Sequence, residues 1–399
     1  MRRIVRIGLP VALAAVGTLL GGHYLLPRLA ALAFIVRVAK QEGPWARLAR
    51  LTAEKVEEGP VFDIATRYGP MNARLYRTQR PARRTTLLVP GVHMDGVHEA
   101  RLVGLARELA ASGLQVLTVA PPGLARYRIT PDSADALEDA VLWASAQPNL
   151  ARDGRVGLMG ISFAGGLALV AAGRAQAKDH VAFVLSFGGH GDLPRVLRYL
   201  CQGQSEVPPA DARTLAVGGE NIHVAKPHDY GAVVTLLNVA KQAVPADQVA
   251  TLEQAVTAFL RASSIDRLDP AAAAAAFAQA RELGQSLPEP ARALMTYVND
   301  RDVLRLGQSL ATLLPGLDLS TALSPERSPL PSAPVFLLHG ADDSVVPASE
   351  MLFLVRKLRP TTRVRAMASR LITHAEVNRS AAVAEMWRLS AFWQELLTR

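Results

Sequence analysis

The sequence predicts an α/β fold: a mostly parallel central sheet with helices on both faces and a helical insertion late in the chain. Three observations carry this. From Thr85 onward, short apolar runs of strand length alternate with longer segments of helical period. A serine sits in a small-residue turn, Gly160-Ile161-Ser162-Phe163-Ala164, between one such strand and an apolar helix. The interval from Leu193 to Pro334, by contrast, is rich in Ala and Leu and shows no strand pattern.

Taken in order, Val61 to Arg67 and Ala73 to Arg77 read as an antiparallel hairpin around Tyr68-Gly69-Pro70-Met71-Asn72. Thr85 to Val89 is a short apolar strand. Glu99 to Ala111 is a helix with Leu102, Leu105, Ala106 and Leu109 on one face, stopped by Gly113. Leu114 to Ala120 is a strand, and Ser133 to Gln147 a helix capped by Asp132 or Ser133. Arg155 to Ile161 is the strand before the serine, and the helix after it runs to about Ala177. Strands follow at Val181 to Phe187, Val335 to Leu338 and Thr362 to Ala368, with helices from Ser349 to Leu358 and from about Val377 to Leu397.

The expected organisation is an N-terminal anchor over residues 1–37 and a connector over 38–60. A core follows over 61–192 and 335–399, with a helical cap over 193–334. Arg2, Arg3 and Arg6 precede an apolar run from Ile7 to Leu26, close to the roughly 20 residues that cross a bilayer as a helix. Leu29 to Val36 is too short to span and is expected to lie in the interface. The competing reading is a cleaved signal peptide with Ala31-Leu32-Ala33 as its site. A single-pass membrane protein with an exported, extracytoplasmic catalytic domain is the expectation.

Composition limits the function classes. Half of the 399 residues are hydrophobic, mean hydropathy is +0.16, and only 5% are aromatic, so the core is aliphatic. The net charge of +9 comes from scattered arginines without interleaved aromatics, which disfavours a nucleic-acid module and suits anionic lipid headgroups. The lone Cys201 rules out an intrachain disulfide and a Cys-based zinc site, and its surroundings read as a helix end. His93, Asp95 and His98 have metal-like spacing, but they fall where a loop turns into a helix, and no metal or other cofactor is expected.

The chemistry centres on Ser162. A serine on a sharp strand-to-helix turn is exposed at the sheet edge, and small residues two before and two after let the turn pack. A hydroxyl needs a base, and the base needs an orienting acid. The strand at Val335 ends in His339-Gly340-Ala341-Asp342-Asp343-Ser344-Val345-Val346-Pro347, and His374 follows the last strand. Asp342 and Asp192 are alternatives for the acid, and His93, His98 and His190 for the base.

On the Ser162 turn, the His339-Gly340-x-x-Asp343-x-x-Val346-Pro347 stretch and the late His374, residues 61–399 resemble the α/β-hydrolase family, as a membrane-anchored, bacterial-type member. The resemblance implies a Ser162, Asp343, His374 triad. It also implies an oxyanion hole from the N–H groups of Phe163 and of Val92, although Pro90-Gly91 stands where many members have His-Gly. The implied function is hydrolysis of a small-molecule ester, with lipids among the candidates, through an acyl-enzyme. An amidase or peptidase with the same triad is the sibling reading. The reading from another class is an inactive, membrane-tethered binding or scaffold protein.

Overall fold

The computed structural model describes residues 25–208, 224–266, 269–316, 321–372 and 379–399, together with Gly22 and Ile222; of 379–383 only the backbone is described. One eight-stranded sheet organises them. Its strands are β1 (Val56–Thr66), β2 (Gly69–Thr78), β3 (Thr85–Val89), β4 (Gln115–Ala120), β5 (Val156–Ile161), β6 (Val181–Phe187), β7 (Val335–Gly340) and β8 (Val364–Ser369). The spatial order is β1-β2-β4-β3-β5-β6-β7-β8. β2 is antiparallel to both neighbours, and every pair from β4 to β8 is parallel. This order, with the hairpin at one edge, is the α/β-hydrolase fold.

The central strands are mostly apolar because both sheet faces are covered, with Thr85, Thr86, Thr118, Ser186 and His339 as buried polar exceptions. Side chains alternate between two cores. Leu87, Val89, Leu158, Val335 and Leu337 pack on one face with α4 (Asp132–Ser145) and α5 (Phe163–Gly173). Leu88, Met159, Phe336 and Leu338 face α3 (Ala100–Ala111) and the terminal helix, Arg379–Leu397. Each fully buried side chain of this size contributes roughly 1.5–3 kcal/mol.

Boundaries differ from the sequence reading where charge or capping misled it. The connector over 38–60 is not uniformly helical: it holds α2 (Pro44–Leu51), and β1 begins at Val56. Glu57 and Glu58 look unlike strand residues, but β1 is an edge strand. There they pair across the hairpin with Arg77 and Arg74, and the register shifts between Glu58 and Val61, beside Pro60. The helix after Ser162 ends at Gly173, and neither Asp132 nor Ser133 supplies a side-chain cap to α4, whose cap position is Pro131.

The segment expected to lie in a membrane interface packs one side on the protein and leaves Leu26, Leu29 and Val38 exposed. It forms α1 (Leu26–Val38), with Ala31, Phe34 and Ile35 buried and Phe34 against Trp393 of the terminal helix. The alternative cleavage triplet, Ala31-Leu32-Ala33, therefore sits inside a helix of the folded domain. The apolar run Ile7–Leu26 lies almost wholly outside the described residues. Among the described residues, no helix is long and apolar enough to cross a membrane.

Between β6 and β7 the described residues form helices and turns: α6 (Leu193–Gln202), α7 (Asp229–Ala243), α8 (Ala246–Asp266), α9 (Pro270–Gln285), α10 (Ala291–Asn299) and α11 (Val303–Ala311). Arg195 ties the start of this region to the core. Its guanidinium donates to the wholly buried Glu350, on α12 (Ser349–Leu358), and to Glu326 on the return to β7. Removing one partner of such a buried pair costs about 3–5 kcal/mol. The terminal helix, Arg379–Leu397, is α13.

Candidate active site

β5 turns into α5 through one residue, Ser162, whose backbone stands at φ 55°, ψ −132°. A non-glycine residue there is strained, and the surrounding structure must hold it. Two backbone bonds do so: the Ser162 N–H donates to Phe187 C=O at 2.6 Å, and its C=O accepts from Gly165 N–H at 2.8 Å. Gly160 permits the sharp return, since a Cβ on it would lie 2.1 Å from the Ala164 carbonyl oxygen. The Ser162 hydroxyl does not cap the helix it precedes. Phe163, the first residue of α5, carries one of the N–H groups that a helix start leaves unpaired.

The strand order explains why this turn faces a cleft. From β3 the chain passes to β4 on one side and then to β5 on the other, so a crevice opens at the carboxyl ends of β3 and β5. A cavity of about 790 Å³ lies there, lined by Gly91, Val92, Ser162, Phe163 and Asp343. The loop after β3 comes close to Ser162: a Cβ on Gly91 would meet Ser162 Cβ at 3.2 Å. Leu193, Val196, Leu197 and Leu200 of α6 and Val234 of α7 supply apolar wall.

Asp343 follows β7, and its carboxylate is oriented by backbone. Oδ1 accepts from the N–H groups of Val345 and Val346 at 2.8 and 3.0 Å. Oδ2 stands 3.7 Å from Nε2 of the buried His339, which bonds the Val346 carbonyl at 2.9 Å. Ser162 and Asp343 thus line one cavity. His374 lies outside the described residues; Ile372, two positions earlier, lines the same cavity.

Asp192, His190 and His93 have other partners, although His93 lines the same cavity as Ser162. Asp192 caps α6 through the Arg195 N–H and pairs with Arg327. His190 is fully buried, stacked on Phe163 at 4.6 Å, with Nε2 bonded to the Leu323 carbonyl; burial pushes its pKa below the usual histidine value. His98 is exposed, and His93 bonds Ser264 through Nε2 at 2.7 Å. Among the described residues no group of three metal-ligating side chains comes together, so His93, Asp95 and His98 do not form such a group. Cys201 is buried and its thiol is pushed up to about 12, which leaves it inert as a nucleophile at neutral pH.

Two residues at the site escaped the sequence reading. The Tyr230 hydroxyl, from α7, donates to the Val92 carbonyl at 2.5 Å, and Ser264, from α8, holds His93. Both act on the loop expected to supply an oxyanion donor. Neither stands in a local motif, and each lies well over a hundred residues from its partner.

No protein-family model matches the chain, and no curated protein matches it. Solved structures similar to it include a hyperthermophilic esterase from the archaeon Pyrobaculum calidifontis, at 15% identity over 95% of this chain and 94% of that one, with a TM-score of 0.43. A thermostable carboxylesterase, EstE1, cloned from a metagenomic library, is similar at 13% identity over 93% of this chain and 96% of that one, TM-score 0.43. Brefeldin A esterase, a bacterial homologue of human hormone-sensitive lipase, is similar at 12% identity over 93% and 86%, TM-score 0.43. Likenesses this distant bear no functional weight, and the fold stands on strand order, direction and register.

Proposed function

We propose that the chain is a serine hydrolase that cleaves a lipophilic ester through an acyl-enzyme, with Ser162 as nucleophile, His374 as base and Asp343 as orienting acid. The observation that carries this reading is the strained, uncapped Ser162 between β5 and α5, facing a cleft that Asp343 also lines. Strain of this kind is retained where the exposed side chain has work to do.

In this mechanism His374 takes the Ser162 proton as Oγ attacks the ester carbonyl. The N–H groups of Phe163 and Val92 receive the oxyanion, and the alcohol leaves with the proton from His374. Water, deprotonated by His374, then attacks the acyl-enzyme and releases the acid. In this reading Asp343 Oδ2, which the backbone does not use and which stands 3.7 Å from His339 Nε2, holds the imidazole of His374. The α6 wall of Leu and Val suits an acyl chain. The apolar Ile7–Leu26 run acts as a membrane anchor in the same reading.

The test is turnover of nitrophenyl esters from acetate to dodecanoate by the full chain in detergent. The expected result is hydrolysis that rises with acyl length and disappears in Ser162→Ala. Hydrolysis equal in wild type and Ser162→Ala, with both folded, would refute the assignment.

A further inference from the structure

The helix α2, Pro44-Trp45-Ala46-Arg47-Leu48-Ala49-Arg50-Leu51, is turned the wrong way for a helix on a water-facing surface. Its protein-facing residues are the two alanines: Ala46 and Ala49 are buried. Its large apolar side chains point outward, with Trp45 77%, Leu48 55% and Leu51 82% exposed. Spaced at i, i+3 and i+6, these three share one side of the helix. Arg47 and Arg50 stand beside them, and no ion pair to either is found among the described residues.

This orientation is fixed. Arg37, buried at the end of α1, donates to the Ala49 carbonyl and the Thr52 hydroxyl, and its guanidinium is anchored in turn by Glu108 and Ser112. Exposed apolar side chains also concentrate in the stretch of chain that contains α2. Of the twelve large apolar side chains left exposed among the described residues, seven fall between Leu25 and Leu51. Immediately before them in the chain comes the apolar run from Ile7, itself preceded by Arg2, Arg3 and Arg6. Val38 and Lys40, which join α1 to α2, also line the cavity that holds Ser162.

We propose that α2 is an interfacial helix that docks on an anionic phospholipid bilayer. Trp45, Leu48 and Leu51 enter the acyl-chain boundary, and Arg47 and Arg50 meet headgroup phosphates. A tryptophan with leucines on one side and arginines on its flank matches that boundary, where one side is apolar and the other anionic. Docking seats the Val38–Lys40 end of the cleft on the membrane, so that a lipophilic ester enters from the bilayer. The docking surface stands by itself; the entry route rests on the hydrolase reading above.

The test uses the full chain with Cys201→Ser, a Leu48→Cys substitution carrying an environment-sensitive fluorophore, and vesicles of phosphatidylcholine with phosphatidylglycerol. A second probe at Glu282→Cys, exposed on α9, serves as the reference. The expected result is quenching of the residue 48 probe by spin-labelled lipid, at least fivefold stronger than at residue 282, and weaker with phosphatidylcholine alone. Equal quenching at the two positions overturns the proposal. So does a residue 48 probe that is already shielded before vesicles are added, because a second copy or the chain's own N-terminus then covers the face.

Activity separates this proposal from the hydrolase reading. The triple variant Trp45→Ser, Leu48→Ser, Leu51→Ser is expected to turn over a vesicle-embedded ester at least tenfold more slowly, and a water-soluble acetate ester within twofold of wild type. Loss on both substrates in the folded variant refutes the entry route. No hydrolysis of either by wild type refutes the hydrolase reading while leaving the quenching result to decide the docking surface.

Discussion

On one side of the Ser162 hydroxyl the cleft is built by neighbours in sequence; on the other it is built by residues brought from far along the chain. The Ser162 turn runs from Gly160 to Gly165, closed by its own backbone bonds and by β6 alongside. The loop after β3, which carries Val92, is held by Tyr230 from α7 and Ser264 from α8. The first side is therefore encoded by local sterics and the second by tertiary contact. The helices between β6 and β7 thus form part of the cavity wall. Further bonds support this: Asn238 of α7 accepts from the Ile129 N–H and donates to the Tyr127 carbonyl, and Arg128 donates to the Leu237 carbonyl.

The contrast can be broken from either side. The largest effect is expected on the local side: Ser162→Ala lowers kcat on any ester by about 10⁴–10⁶-fold without loss of fold, read by steady-state kinetics beside circular dichroism. Asp343→Asn keeps the backbone turn that Oδ1 accepts but loses the carboxylate charge, and kcat falls by about 10³–10⁴-fold. On the tertiary side, Tyr230→Phe removes one neutral hydrogen bond, worth about 0.5–1.5 kcal/mol, so kcat falls by roughly 2–10-fold while KM changes little. If Tyr230→Phe instead cost as much as Asp343→Asn, the loop would be far more dependent on the cap than the geometry indicates.

The smallest effect concerns stability and links the two sides. His190 stacks under Phe163 while its Nε2–H donates to Leu323, leaving Nδ1 buried and unbonded among the described residues. Its folded pKa lies below the unfolded value because burial disfavours the cation. Protonation therefore favours the unfolded chain. The contribution is fully present above about pH 6.5 and is lost as pH falls below that value toward the folded pKa. Urea midpoints at pH 7.5 and 5.5 are expected to fall more for wild type than for His190→Phe. An equal drop in both would show that His190 does not carry the acid sensitivity.

What was legible follows from the same contrast. The strands β3, β5, β6 and β7 were readable because each is a short apolar run, buried on both faces, and their side chains need no partner identity beyond being apolar. Ser162 was readable because its constraint is steric and local, and so was the position of Asp343 at the end of β7. The start of β1 was not, because Glu57 and Glu58 are tolerable only on an edge strand with arginines opposite. The packing of Phe34 and Ile35 beside α13 was not legible, because a run of apolar residues is the same signal for a lipid interface and for packing on a helix. Tyr230 and Ser264 were invisible because a hydrogen bond across more than a hundred residues leaves no pattern in the chain.

The proposed activation of Ser162 as a nucleophile is tested with a fluorophosphonate probe. The full chain in detergent is labelled, digested, and the modified residue located by mass spectrometry. Phosphonylation of Ser162 is expected, and it is abolished in His374→Ala. A folded protein that stays unlabelled, or that is labelled equally well at Ser162 without His374, would contradict it.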